Sequence, residues 1–352
     1  MNDLPMPGSE ILERLRTGCV IPAHPLALDG GRRMDERRQR ALTRYYLAAG
    51  AGGVAVGVHS TQFEIRKPGV GLLRPVLELA SEVLEREGAG RAMRVAGICG
   101  DTRQAVAEAE MARELGCDLA LLSLAALIDH PDEELVAHAR SVSEVLPLFG
   151  FYLQTAVGGR VLSHDFWRAF VEIPNVCAIK AAPFNRYQTL DVVRAIAAAG
   201  REDEVMLYTG NDDHVVGDLV TRYRVAGPHG KVELHFRGGL LGHWAFWTRR
   251  AVEMLETVRR HDGVIDEELK VLANETTDAN AAIFDAVNGY AGCIPGIHEV
   301  FRRQGLLQRI DTLNPNAALS PGQSEEIDRT YRDYPHLNDD DFVKANLDSW
   351  LR

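Results

Sequence analysis

A chain of 352 residues with 46% hydrophobic and 25% charged residues has the composition of a soluble globular protein, long enough for one large α/β domain and an appendage. Its formal net charge of −11, with no basic block, argues against nucleic acid or an anionic membrane as partner. No window of about 18 apolar residues offers a membrane span, and Met1-Asn2-Asp3-Leu4-Pro5 carries neither part of a secretory signal, so a cytoplasmic protein is expected.

In chain order, short apolar runs alternate with amphipathic stretches. The runs are Cys19 to Ile21, Gly53 to Val56, Val95 to Ile98, Leu119 to Leu122, Phe149 to Tyr152, Val176 to Ile179, Val205 to Tyr208 and Val232 to Leu234. Between them, Thr102 to Leu115 and Leu190 to Ala199 repeat apolar residues three or four apart, the helical period. Asp101 can cap the first of these and Gly116 ends it. Strand–helix units repeated this often over roughly 245 residues predict a (β/α)8 TIM barrel. A doubly wound sheet fits less well, because no GxGxxG follows the first strand. The run Ala49-Gly50-Ala51-Gly52-Gly53 leaves a helix and enters a strand, the reverse of a phosphate cradle.

The eighth run is weak, since it contains Glu233 and precedes His235. Gly238-Gly239-Leu240-Leu241-Gly242 reads as the turn after it, where Gly239 serves either a positive-φ turn or close backbone approach to a substrate. Beyond about residue 263 only helical patterns remain: Asp266 to Val287, Gly296 to Gln304, and a final stretch from Tyr331 that reads as a short acidic helix or lid. With no Pro/Gly/Ser-rich linker, the expected division is an N-terminal segment 1–16, a barrel 17–262, and C-terminal helices 263–352 packed on it. Five cysteines without a CxxC pair read as reduced, buried thiols.

In a parallel barrel the C-terminal strand ends carry the site. Lys180 closes the apolar run Val176-Cys177-Ala178-Ile179 and is followed by Ala181-Ala182-Pro183. One reading is a rim lysine with a packed stem and a solvated amine. The other is an amine desolvated among apolar walls, which lowers its pKa and frees it to attack a carbonyl. Tyr152 ends the preceding run, and a phenol there can pass protons, or is a core tyrosine with a satisfied hydroxyl. His24, His59 and His235 fall near predicted strand ends, with Asp212, His214 and His243 nearby, which would suit a metal-dependent hydrolase or isomerase. Neither His-x-His on the first strand nor HExxH is present, so the metal reading stands second.

Tyr152 and Lys180, twenty-eight residues apart, with Ile173-Pro174-Asn175-Val176 leading to the lysine, resemble the dihydrodipicolinate synthase/N-acetylneuraminate lyase family. Pro22-Ala23-His24-Pro25 with Asp29-Gly30 and Asp35, Gly100-Asp101-Thr102, Gly116-Cys117-Asp118 and Gly210-Asn211-Asp212-Asp213 resemble further segments of it in order, from about residue 17 to 305. The resemblance implies a (β/α)8 barrel in which Lys180 forms a Schiff base with a pyruvate-like 2-oxo acid and Tyr152 shuttles protons. It implies a carboxylate held by Ser60 and Thr61, and help from the Gly210 backbone and Asn211. It also implies a homo-oligomer, dimer or tetramer, a 2-oxo acid or aldehyde as substrate, and no metal or organic cofactor.

Departures from the family are equally specific. Its Gly-Thr-Thr-Gly-Glu after strand two is replaced by Gly57-Val58-His59-Ser60-Thr61-Gln62-Phe63-Glu64. There His59 is new, either a proton donor or hydrogen-bond partner of substrate or a rim histidine. The synthase branch's tyrosine on strand four is missing from Ser123 to His130, and its arginine five residues past Tyr152 is Val157, with Arg160 three further on. Both losses argue against the lysine-biosynthetic condensation. The expectation is therefore a Schiff-base lyase or aldolase with a different pocket; a catalytically silent, metabolite-binding relative is the third class.

Overall fold

The computed structural model describes residues 4–88 and 92–352; residues 1–3 of the N-terminal segment lie outside the described residues. Helix α1 (Ser9–Thr17) closes the lower end of a barrel. Its Ile11 and Leu15 join the interior cluster, and the Tyr208 hydroxyl donates to the Leu15 carbonyl at 3.2 Å. Seven parallel strands follow: β1 (Val20–Pro22), β2 (Gly53–Val56), β3 (Met93–Ile98), β4 (Leu119–Leu122), β5 (Leu148–Leu153), β6 (Val176–Ala182) and β7 (Met206–Thr209). An antiparallel hairpin, β8 (Tyr223–Gly227) and β9 (Gly230–Leu234), precedes β10 (Phe236–Leu241), which pairs with β7 and β1. A bridge between Ala23 and Ala55, with the His24 N–H donating to the Ala55 carbonyl at 2.8 Å, joins β1 to β2 and closes the ring.

Between the barrel strands run α2 (Glu36–Ala49), α3 (Leu73–Arg86), α4 (Thr102–Glu114), α5 (Asp132–Ser143), α6 (His164–Val171), α7 (Arg186–Ala198) and α8 (Val215–Val220). The expected (β/α)8 barrel is what the chain forms. Alternation along each strand divides its apolar residues between two layers. Phe149, Phe151, Leu121, Val95 and Ala178 fill the interior, while Tyr152, Ile179, Ala181 and Leu122 meet the helices.

The eighth barrel strand is β10, not Val232 to Leu234. Those residues lie in the hairpin, where Lys231 and Glu233 are exposed. Gly238 and Gly239 are strand residues rather than a turn, and neither has a positive φ. They are glycines for want of space: a Cβ would come within 2.3 Å of the Cys19 carbonyl at Gly238 and 2.7 Å of the Trp244 ring at Gly239.

Helices α9 (Thr248–Arg260), α10 (Glu267–Ile283), α11 (Cys293–Arg303), α12 (Gln323–Asp333) and α13 (Asp340–Trp350) complete the chain. The acidic tail is a latch on the outer layer rather than a lid. Trp350 and Phe342 pack on Tyr45, with ring centroids 5.6 and 6.3 Å away. Asp339 is buried, accepting from the Tyr45 hydroxyl at 2.7 Å, the Arg249 N–H at 3.0 Å and the Gln304 amide at 2.7 Å. No helix among the described residues is long and apolar enough to cross a membrane.

Candidate active site

The site begins with one irregularity in strand pairing. Leu148 of β5 faces Val176 of β6, but Phe149 already faces Ala178, so Cys177 is an extra residue on β6. Such a bulge reverses which side chains face the interior from that point on. Cys177 and Ala178 both point inward, and Lys180 and Ala182 follow them into the barrel. The same shift sets Phe151, not Tyr152, opposite Lys180.

Lys180 is 8% exposed at the C-terminal end of β6, and its Nζ lies 4.3 Å from the centroid of the Phe151 ring. Gly210, just after β7, leaves room for its stem, since a Cβ there would sit 2.5 Å from Lys180 Cε. The Gly210 N–H itself donates to the Ala181 carbonyl at 2.7 Å. Burial pushes the lysine below its ordinary pKa, partly opposed by the negative charge of Asp212. Asp212 lines the same cavity, with Oδ1 accepting from the His243 N–H at 2.8 Å. Burial raises its pKa, against that hydrogen bond and the charge of Lys180. Amine and carboxyl thus titrate as a pair, and a proton can reside on either.

Above β2, a short 3₁₀ turn (His59–Thr61) brings His59 and Ser60 to the cavity. Desolvation, and then the charge of Lys180, push His59 down to about 4, so its imidazole is neutral at neutral pH. The Ser60 hydroxyl donates to the Ala23 carbonyl at 2.9 Å. The outer wall combines Leu153 at the end of β5, Gln154 and Val157 after it, Phe184 after β6, and Phe284, Tyr290, Cys293 and Ile297 from the C-terminal region.

Several residues singled out in the sequence lie elsewhere. Tyr152 turns to the helix layer, 5.3 Å from the Trp167 ring, its hydroxyl donating to the Leu162 carbonyl at 3.2 Å and accepting from the Leu162 N–H at 3.1 Å. Thr61 ties two loops together, donating to the His24 carbonyl at 2.6 Å and accepting from the Gly57 N–H at 3.0 Å. Asn211 is buried behind the cavity, accepting from the Phe184 N–H at 3.0 Å and donating to Asp218 at 2.8 Å. Gly239 faces Trp244, and Gly242 reaches the cavity instead. Arg160 donates to the Leu127 and His130 carbonyls at 3.2 and 2.6 Å and does not line the cavity.

The histidines do not converge. His24 is fully buried, with Nε2 2.9 Å from the Thr43 hydroxyl and Nδ1 2.8 Å from the Pro25 carbonyl. Among the described residues, no three His, Cys, Asp or Glu side chains are grouped to hold a metal ion. The sequence named Asp212 only beside the histidines and within Gly210-Asn211-Asp212-Asp213, not as a partner of the lysine, and did not select the C-terminal wall. Asp212 had a signal, being a charge directly after an apolar strand, as Lys180 is. Phe284, Tyr290, Cys293 and Ile297 had none, lying more than a hundred residues from the lysine.

No family model matches the chain. Among curated proteins it is 28% identical over 181 residues to the 4-hydroxy-tetrahydrodipicolinate synthase of Acaryochloris marina, covering 44% of this chain and 60% of that one. To the synthase of Desulforamulus reducens it is 26% identical over 204 residues, covering 56% of this chain and 63% of that one. The match to the synthase of a Cyanothece species is 31% identical over 127 residues, covering 35% and 42%. The chain therefore spans less than two thirds of these relatives' length. Solved structures share the fold along almost the whole chain. N-acetylneuraminate lyase from Fusobacterium nucleatum superposes with a TM-score of 0.71 at 14% identity, covering 91% of this chain and 99% of that one. The pyruvate complex of dihydrodipicolinate synthase from Acinetobacter baumannii gives 0.71 at 18% identity, covering 90% and 98%.

Proposed function

We propose that the chain is a divergent member of the dihydrodipicolinate synthase/N-acetylneuraminate lyase family and a class I, Schiff-base lyase acting on a pyruvate-like 2-oxo acid. One observation carries the reading: Lys180 stands inside the barrel, desolvated, at the catalytic end of β6. Its neutral amine attacks the ketone, water leaves, and the resulting iminium draws electrons from the neighbouring carbon. That sink serves aldol cleavage, condensation or dehydration alike. The turn at His59 and Ser60 faces the carboxylate.

Tyr152 is too far round the strand to shuttle protons, and we assign that task to Asp212. Its carboxyl lines the cavity with the lysine and is fixed by the His243 N–H. As acid it protonates a departing or forming alkoxide, and as carboxylate it takes the proton back. The proposal includes a homo-oligomeric assembly and a cytoplasmic location, both drawn from the family resemblance.

Borohydride reduction in the presence of pyruvate tests the reading. A stable adduct is expected on the peptide bearing Lys180, absent in Lys180→Ala. If no 2-oxo acid gives an adduct, the imine mechanism is wrong. The displacement of Tyr152 favours one second reading, a silent relative that binds a metabolite; it predicts ligand binding unchanged in Lys180→Ala.

A further inference from the structure

Beyond the lysine, the outer wall of the cavity is largely apolar. Leu153, Val157, Phe184, Phe284 and Ile297 supply its outer surface. Among the described residues, Lys180 is the one lysine or arginine lining it. Arginines close in sequence are engaged elsewhere: Arg160 on the Leu127 and His130 carbonyls, and Arg186 in an ion pair with the buried Asp218. An anionic substituent placed here would meet Asp212 and lose its hydration without gaining a counter-charge. A hydroxyl-rich substituent would find few partners on this outer wall, where Gln154, Tyr290 and Cys293 are the side chains with polar atoms. The free space is about 70 Å³, roughly half of the ~150 Å³ that admits benzene in an apolar cavity.

Two rings at the mouth add a separate argument. Phe184 and Tyr290 both hold left-handed backbone, at φ 53° and 69°, a strained state for residues with a Cβ. Their rings meet edge to face with centroids 5.8 Å apart. The Asn211 side chain clamps the Phe184 N–H at 3.0 Å, which holds that conformation. Strain retained to hold two aromatic rings in the lining of a cavity points to an apolar occupant.

We propose that the carbonyl partner of the 2-oxo acid is a compact, uncharged aliphatic aldehyde, so that the chain makes or cleaves a 4-hydroxy-2-oxo acid with a small apolar tail. The proposal rests on the imine reading of Lys180. In the forming direction, the enamine carbon on Lys180 attacks the aldehyde carbon, and the C=C pair becomes the new C–C bond. The C=O pair becomes an alkoxide, which takes a proton from the acid form of Asp212. Water then hydrolyses the iminium, releasing the 4-hydroxy-2-oxo acid and the free amine. Cleavage is the reverse.

Three small aldehydes offered with pyruvate test it: propanal, glyoxylate and glyceraldehyde, with product read by mass. Propanal is expected to give a kcat/KM at least about tenfold above the other two, the scale of a few methylenes in an apolar pocket. Glyoxylate or glyceraldehyde equalling propanal overturns the proposal, and so does a pyruvate adduct trapped on Lys180 with no product from any aldehyde. Absence of the pyruvate adduct itself is instead the failure of the imine reading. Val157→Arg supplies a second measurement: glyoxylate turnover should rise about tenfold while propanal turnover falls. Unchanged turnover of both in the folded variant removes Val157 from the wall and overturns the proposal.

Discussion

The inner and outer halves of the cavity are built differently. The inner half comes from strand ends: Lys180 on β6 and Phe151 on β5, fixed by strand pairing, and just past β7 Gly210, bonded to Ala181, and Asp212, held by the His243 N–H. The outer half comes from loops and from helices more than a hundred residues away, and Phe184 and Tyr290 hold strained backbone there. Sheet pairing gives chemistry a rigid floor, while the appended wall can change without disturbing the lysine. That division accounts for a buried lysine beside a wall that includes the apolar Val157.

Perturbing the inner half should have the largest effect. Asp212→Asn is expected to lower turnover by about 10²–10⁴-fold, the range for a lost general acid–base, while pyruvate still forms a trapped imine on Lys180. The pH dependence has a definite sign. Imine formation needs the free amine, so it falls away as pH drops through the depressed pKa of Lys180. Asp212→Asn removes the charge that favours the ammonium, so this acid limb should move to lower pH in the trapping rate. A limb that moves upward, or turnover that is unaffected, removes Asp212 from the mechanism.

In the outer layer, Trp350→Ala takes away a 6%-exposed indole packed on Tyr45, at a cost of roughly 3–5 kcal/mol. Thermal unfolding should show a lowered Tm, with Lys180 trapping retained in the folded fraction. Were trapping lost while the fold persisted, the halves would not be separable.

Tyr152→Phe gives the smallest change. It loses hydrogen bonds to the Leu162 backbone worth about 1 kcal/mol net, with imine formation and turnover expected to match the parent. A folded variant that had lost turnover would return the phenol to the mechanism.

What was legible follows from the same physics. Apolar runs such as Gly53 to Val56 and Leu119 to Leu122 mark buried parallel strands because both faces are covered. Lys180 was legible because an ammonium is costly in that surrounding. Strand β10 was hidden because Gly238 and Gly239, which close packing requires, look like a turn in the sequence. The placing of Tyr152 failed for a subtler reason. A spacing of twenty-eight counts residues, whereas facing depends on register, and the bulge at Cys177 alters register without altering composition. Tyr290 and Ile297 reach the site only through tertiary packing, which no local pattern reports.

The latch at Asp339 carries one more consequence, concerning the order in which the chain is made. Lys180 and the strands around it are synthesised well before Tyr290 and Ile297, and Asp339, which binds Tyr45, Arg249 and Gln304, is made later still. A nascent barrel folding from its N-terminal side therefore holds the Lys180 amine before its outer wall exists. Helix α13 joins the molecule only after that wall, when Asp339 ties it to Tyr45, Arg249 and Gln304.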